Sequence, residues 1–147
     1  MYTGTMPLRT FLPVSLSLSA LMSAGALLLT TAVHAQSGRV FELRTYTTYD
    51  GKLDALKARF RNHTMRIFEK HGMTNVGYWV PQDAPQSGNT LIYIISHASR
   101  EQAKKNWDAF RADPEWQKVQ KESEAHGKIV SKVESVFMDA ADFSPLK

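Results

Sequence analysis

The chain has 147 residues, 43% of them hydrophobic and 22% charged, an ordinary globular composition with room for one domain and one core. Its net charge of +4 is spread as Lys and Arg alternating with Asp and Glu, without the basic stripe and interleaved stacking aromatics of a nucleic-acid surface, so nucleic acid is not expected as a partner. The absence of cysteine excludes disulfides, thiolate metal sites and a cysteine nucleophile together.

The N-terminus sets the compartment. Arg9 precedes an uncharged run from Thr10 to Val33, and Val33-His34-Ala35 places small residues where a signal peptidase reads them. The expectation is a signal peptide over residues 1–35, cleaved before Gln36, and a mature domain over 39–147 that is periplasmic or secreted. The run approaches spanning length, so the alternative is an uncleaved anchor, the one case in which a membrane is a partner.

In the mature chain, RVFELRTYT at 39–47 places Phe41, Leu43 and Thr45 on one face and Val40, Glu42, Arg44 and Tyr46 on the other, the period of a first strand. Asp50-Gly51 turns the chain. Leu53, Leu56, Phe60, Thr64 and Ile67 then recur at helical spacing as far as Gly72, which marks a C-terminal stop. TNVGYWV and TLIYIIS form a hairpin of two strands across the turn-rich loop PQDAPQSGN. Ser99 with Gln102 is a capping box that opens a helix with Ala103, Trp107 and Phe110 on one face. Asp113-Pro114 stops that helix and starts another, which carries Trp116 and Val119 inward and ends at Gly127. IVSKVESVFM at 129–138 is the fourth strand.

The order βαββαβ predicts an α+β, ferredoxin-like subunit, a four-stranded antiparallel sheet with helices on one face. Leu91 to Ile95 are apolar on both faces, although a sheet covered on one side alternates instead. A homodimer packed sheet on sheet is therefore expected, with each copy covering the other's open face.

The stretches FELRTYT, HGMTNVGYW, WDAFRADPEW and VESVFMDAADFSP together resemble the NIPSNAP family, over roughly Val40 to Pro145. That resemblance implies a ferredoxin-like subunit and a dimeric α/β barrel. It implies no agreed reaction. Relatives in the wider superfamily include cofactor-independent monooxygenases, haem-degrading enzymes and small-molecule-binding stress proteins.

Trp107 and Trp116 read as core first and pocket wall second, since an indole buries a large area. Arg44 and Tyr46 share a face of the first strand near Tyr93, Tyr78 and Trp79, where aromatics pack across strands and an arginine among them suits the carboxylate or enolate of a small ligand. His63 lies at the edge of the first helix's apolar face and is the candidate general base, a possible haem ligand along with His97, or a hydrogen-bonded boundary residue. His71, His97 and His126 sit beside helix ends, and no histidine spacing specifies zinc. The expected ligand-binding set is thus Arg44, Tyr46, His63, Trp79, Tyr93 and Trp107, with no metal and no cofactor, for a small hydrophobic or aromatic ligand. Nucleophile elbow, phosphate loop and dinucleotide fingerprint are missing. The functional expectation is a homodimeric small-molecule-binding or interaction protein, with a cofactor-independent monooxygenase or isomerase, or a haem-binding protein, as the alternative.

Overall fold

The computed structural model describes residues 38 to 146, so the leader expected over 1–35 lies outside the described residues. Strand β1 (Val40–Thr48) is followed by helix α1 (Leu53–Arg59), a π-helical turn (Phe60–Thr64) and helix α2 (Met65–Lys70). Strands β2 (Thr74–Trp79) and β3 (Thr90–His97), helices α3 (Arg100–Ala112) and α4 (Pro114–Ser123), and strand β4 (Val130–Met138) complete the chain. The sheet order is β2-β3-β1-β4 with every neighbouring pair antiparallel, the ferredoxin-like arrangement that the element order predicts.

Local chemistry explains the boundaries. Gly72, at φ 74°, takes the left-handed conformation that a side chain resists, and the Met73 N–H returns to the Phe68 carbonyl to close the helix end. The Ser99 hydroxyl accepts the Gln102 N–H at 3.1 Å, and the Asp113 carboxylate accepts the Glu115 N–H at 2.8 Å, so both predicted caps are formed. The same Asp113 receives Lys70 at 2.8 Å and bonds His71 at 2.6 Å, which pins the end of α2 to the corner between α3 and α4. In the π-helical turn the buried Thr64 hydroxyl donates to the Arg59 carbonyl at 3.3 Å.

Register divides the sheet into two faces. Glu42, Arg44 and Tyr46 stand opposite Ile95, Tyr93 and Leu91 beneath the helices, while Leu43 and Thr45 stand opposite Ile94 and Ile92 on the uncovered face. The covered face carries the core, an aromatic cluster in which Phe60 lies 5.1 Å from Tyr93, Phe68 4.9 Å from Phe110 and Tyr46 5.3 Å from Tyr93. On the uncovered face Val136 is 55% exposed and Trp79 51%. The segment after β4 folds back beside Phe41, Ile94 and Met138 at one end of that face, leaving Phe143 88% exposed. No helix among the described residues is long and apolar enough to cross a membrane.

Phe68 is completely enclosed at the centre of this cluster. Phe68→Ala is expected to cost about 3 to 5 kcal/mol in urea denaturation, whereas Arg61→Ala on the solvent side of the same helical segment stays within about 0.5 kcal/mol.

Candidate functional site

The alternation of β1 points a glutamate into the subunit. Glu42 is 1% exposed, and its carboxylate is met by donors from four segments: Arg44 Nη1 at 2.5 Å, Ser135 Oγ at 2.6 Å, Trp107 Nε1 at 2.7 Å and His97 Nε2 at 3.0 Å. Burial alone would raise its pKa, but the bonds from His97, Ser135 and Trp107 and the charge of Arg44 overcome that and hold it at about 2. His97 Nδ1 faces the Asn106 amide nitrogen at 3.4 Å, and that same nitrogen donates to the Gly72 carbonyl at 3.0 Å. The network therefore fits a neutral His97 that donates from Nε2 and accepts at Nδ1. Both ring nitrogens are taken, which leaves His97 none to offer an iron.

Arg44 is the functional counterpart of this anchor. Its guanidinium lies 4.3 Å from the centre of the Trp107 ring and reaches the Tyr46 hydroxyl at 3.4 Å, so the bond to Glu42 holds it over an indole. The buried Nε has no hydrogen-bond partner. A cleft of about 520 Å³ opens above it, floored by Glu42, Arg44 and Trp107, walled by Phe137 and Ser135, and rimmed by Arg100, Lys104 and Arg111 from α3. A second lobe of about 320 Å³ begins at Tyr46 and runs between Arg59, Thr64 and Trp116 on the helices and Val130 to Val133 on β4. The Arg44–Tyr46 contact stands between the two lobes. They open because β4 is an edge strand whose helix-side residues Val133 and Ser135 are left exposed.

Comparison with known proteins settles the family. The NIPSNAP family model matches residues 41–145. The chain belongs to the NIPSNAP family. The NIPSNAP domain is similar to two solved NIPSNAP family proteins from Agrobacterium tumefaciens. One, of unknown function, has 24% identity and TM-score 0.65, the match covering 78% of this chain and 98% of that one. The other has 22% identity and TM-score 0.65, covering 75% and 100%. It is also similar in fold to a Streptomyces coelicolor monooxygenase solved with nanaomycin D, at 12% identity and TM-score 0.51, covering 74% and 94%. Among curated proteins no match was found.

Of the six residues expected to line a site, the NIPSNAP domain brings four together: Arg44, Tyr46, Tyr93 and Trp107 all lie on the covered face. Tyr93 stacks on Tyr78 at 5.3 Å and is completely enclosed; its hydroxyl has no hydrogen-bond partner, and burial, with Tyr46 as the next cause, holds the phenol well above its ordinary pKa. It supports the cleft from behind. Trp79 lies on the opposite face of the sheet, its ring folded over Gly77, where a β-carbon would come within 2.5 Å of the indole. His63 is also elsewhere. The inward position falls on Thr64, and His63, one residue round the helix, is exposed in an outer groove beside Val119 and Ser123. The expectation that it borders a cavity between helix and sheet is corrected accordingly.

Sequence reasoning missed Glu42, Ser135, Phe137 and the rim. The rim was legible: Arg100, Lys104, Trp107 and Arg111 are spaced four, three and four apart, one stripe along a helix. The buried carboxylate was not, because its donors come from positions up to 93 residues away.

Because the folded pKa of Glu42 is depressed from 4.5 to about 2, its stabilisation is complete above pH 4.5 and is lost as pH falls towards 2. Chemical denaturation at a series of pH values is expected to show a decline across that window. In Glu42→Gln the decline is shallower and stability at pH 7 is lower; a variant with the same acid limb as wild type refutes the assignment.

Proposed function

We propose that this NIPSNAP domain is an exported, homodimeric small-molecule-binding protein whose ligand lies in the helix-side cleft over Arg44, Tyr46 and Trp107. The observation that carries the reading is a guanidinium locked by a buried carboxylate at the floor of an open cleft, over an indole. A cleft of about 520 Å³ is within the range of small-molecule sites, which combine aromatic walls with a few fixed polar groups. Binding is favoured over turnover by the chemistry of the lining. No histidine lines either lobe among the described residues, and the one enclosed carboxylate is held ionised by four donors, a poor general base.

Two further parts of the reading rest on different features. Export rests on the leader, and N-terminal sequencing of the mature protein is expected to begin at Gln36. Dimerisation rests on the uncovered face, where Leu43, Ile92, Ile94, Val136 and Trp79 form an apolar surface and each large side chain is worth about 1.5 to 3 kcal/mol when fully buried. Ile94→Lys is expected to give monomer or insoluble protein in light scattering, and a well-folded wild-type monomer at micromolar concentration overturns this part.

The binding reading is tested by thermal melting against a panel of one- and two-ring aromatic compounds that includes acids, amides and quinones. At least one is expected to raise the melting temperature of wild type and to lose that effect in Trp107→Phe, which keeps an aromatic core residue but removes the indole. A panel without effect on wild type refutes it.

A further inference from the structure

We infer that the cleft of about 520 Å³ over Arg44 selects organic anions, planar aromatic carboxylates of one or two rings, through Arg44 and the basic stripe of α3. The inference rests on the reading that this cleft takes a small molecule, and it adds the charge and shape of that molecule.

The cleft is unbalanced in what it can still bond. Four cations line it, Arg44, Arg100, Lys104 and Arg111, against two carboxylates, Glu42 and Glu101. The carboxylate at the floor is occupied. Glu42 has accepted two donors on each oxygen, Arg44 and Ser135 on one, His97 and Trp107 on the other, and is almost completely enclosed. Glu101 is exposed in the first turn of α3, where its own backbone N–H and Ser99 lower its pKa. The cations keep spare capacity. Arg44 carries five N–H donors and makes two hydrogen bonds, one of them long at 3.4 Å. Arg100 makes no ion pair among the described residues; its guanidinium lies over the Phe137 ring, 3.2 Å from the centroid. Lys104 and Arg111 share one external carboxylate, Asp108, at 2.8 and 2.7 Å. Donors are in surplus at the floor and at the rim, and the acceptor at the floor is used up.

Shape follows from the same groups. Two guanidinium planes, Arg44 on Trp107 and Arg100 on Phe137, stand in one cleft, and flat cations backed by rings favour a flat anion that stacks as well as bonds. A conjugated carboxylate meets both demands. Inorganic phosphate offers the charge without the plane.

Calorimetric titration of the full-length protein with naphthoate, its uncharged amide and naphthylmethylammonium tests the inference. Naphthoate is expected to bind at least tenfold more tightly than the amide, with affinity falling as salt rises, and the ammonium compound and inorganic phosphate to bind more weakly still. The triple variant R100A/K104A/R111A, all three residues being on the solvent side of α3, is expected to melt near the wild-type temperature and to lose at least tenfold in naphthoate affinity. Arg44→Lys, which keeps the charge beside Glu42 but not the planar fork, is expected to weaken naphthoate as well. Equal affinity for naphthoate and the amide, or naphthoate binding unchanged in the triple variant, overturns charge selection while leaving a small-molecule site in place. Failure of all three ring compounds to bind overturns the inference and the binding reading together.

Discussion

A carboxylate buried in a four-stranded sheet has to be surrounded by donors, and the Glu42 side chain meets that demand by drawing in four segments at once. Arg44 comes from its own strand, His97 from the end of β3, Ser135 from β4 and Trp107 from α3. Removing an ion from water costs several kcal/mol unless partners replace the lost hydration, so each donor is specified by the need of the others. Much else follows from this point. Trp107 is oriented by its N–H as well as by its ring, which gives Arg44 a surface to lie on. Asn106 bonds both the Gly72 carbonyl and His97, so the end of α2 is tied to the same network.

The two sides of the sheet solve different problems. Under the helices, aromatic rings at edge, tilted and stacked angles fill the space, and the polar residues Glu42 and Arg44 of β1 lie beneath Trp107 of α3, next to β4. On the other side the strands show mainly apolar side chains, with Thr45 on β1 among them and with Lys132 and Glu134 on β4 holding each other at 2.9 Å. Asp113 joins the helices that bound the cleft: it caps α4 and fixes Lys70 and His71, so α2, α3 and α4 meet at a single carboxylate held well below the ordinary pKa by Lys70 first and His71 next. The walls of the cleft are thereby set by one corner.

The sequence exposed the fold more clearly than the site, and particular residues show why. Strands β1 and β4 and the caps Ser99 and Asp113 depend on neighbours within a few positions, so period and capping chemistry located them. Trp107 was assigned first to the core and second to a pocket wall, and its indole does both, packing on Phe68 and Phe110 while bonding Glu42 at the cleft floor. His63 and Trp79 were misplaced for opposite reasons. For His63 the inward spacing of Phe60, Thr64 and Ile67 is met, and the residue beside Thr64 falls outside that face rather than at the border of a cavity. For Trp79 the deciding factor is which face of a strand receives the helices, a property of the assembled sheet. Glu42 was placed only on a face of the first strand with Arg44 and Tyr46, and contacts from distant parts of the chain make it the centre of the structure.

The strict alternation of β1 has a consequence for how the chain can change length. Residues 42, 44 and 46 supply the anchor, the cation and the aromatic of the cleft, while 41, 43 and 45 belong to the opposite, apolar surface. Inserting or deleting one residue within this strand would exchange the two sets, placing Glu42 and Arg44 on the aliphatic side and Phe41 and Leu43 beneath the helices. A change of two would restore the faces while moving every side chain along the strand. The loop between β2 and β3, whose residues lie at the surface, carries no such parity. Divergence by insertion can therefore accumulate there, whereas the central strand can vary only by substitution.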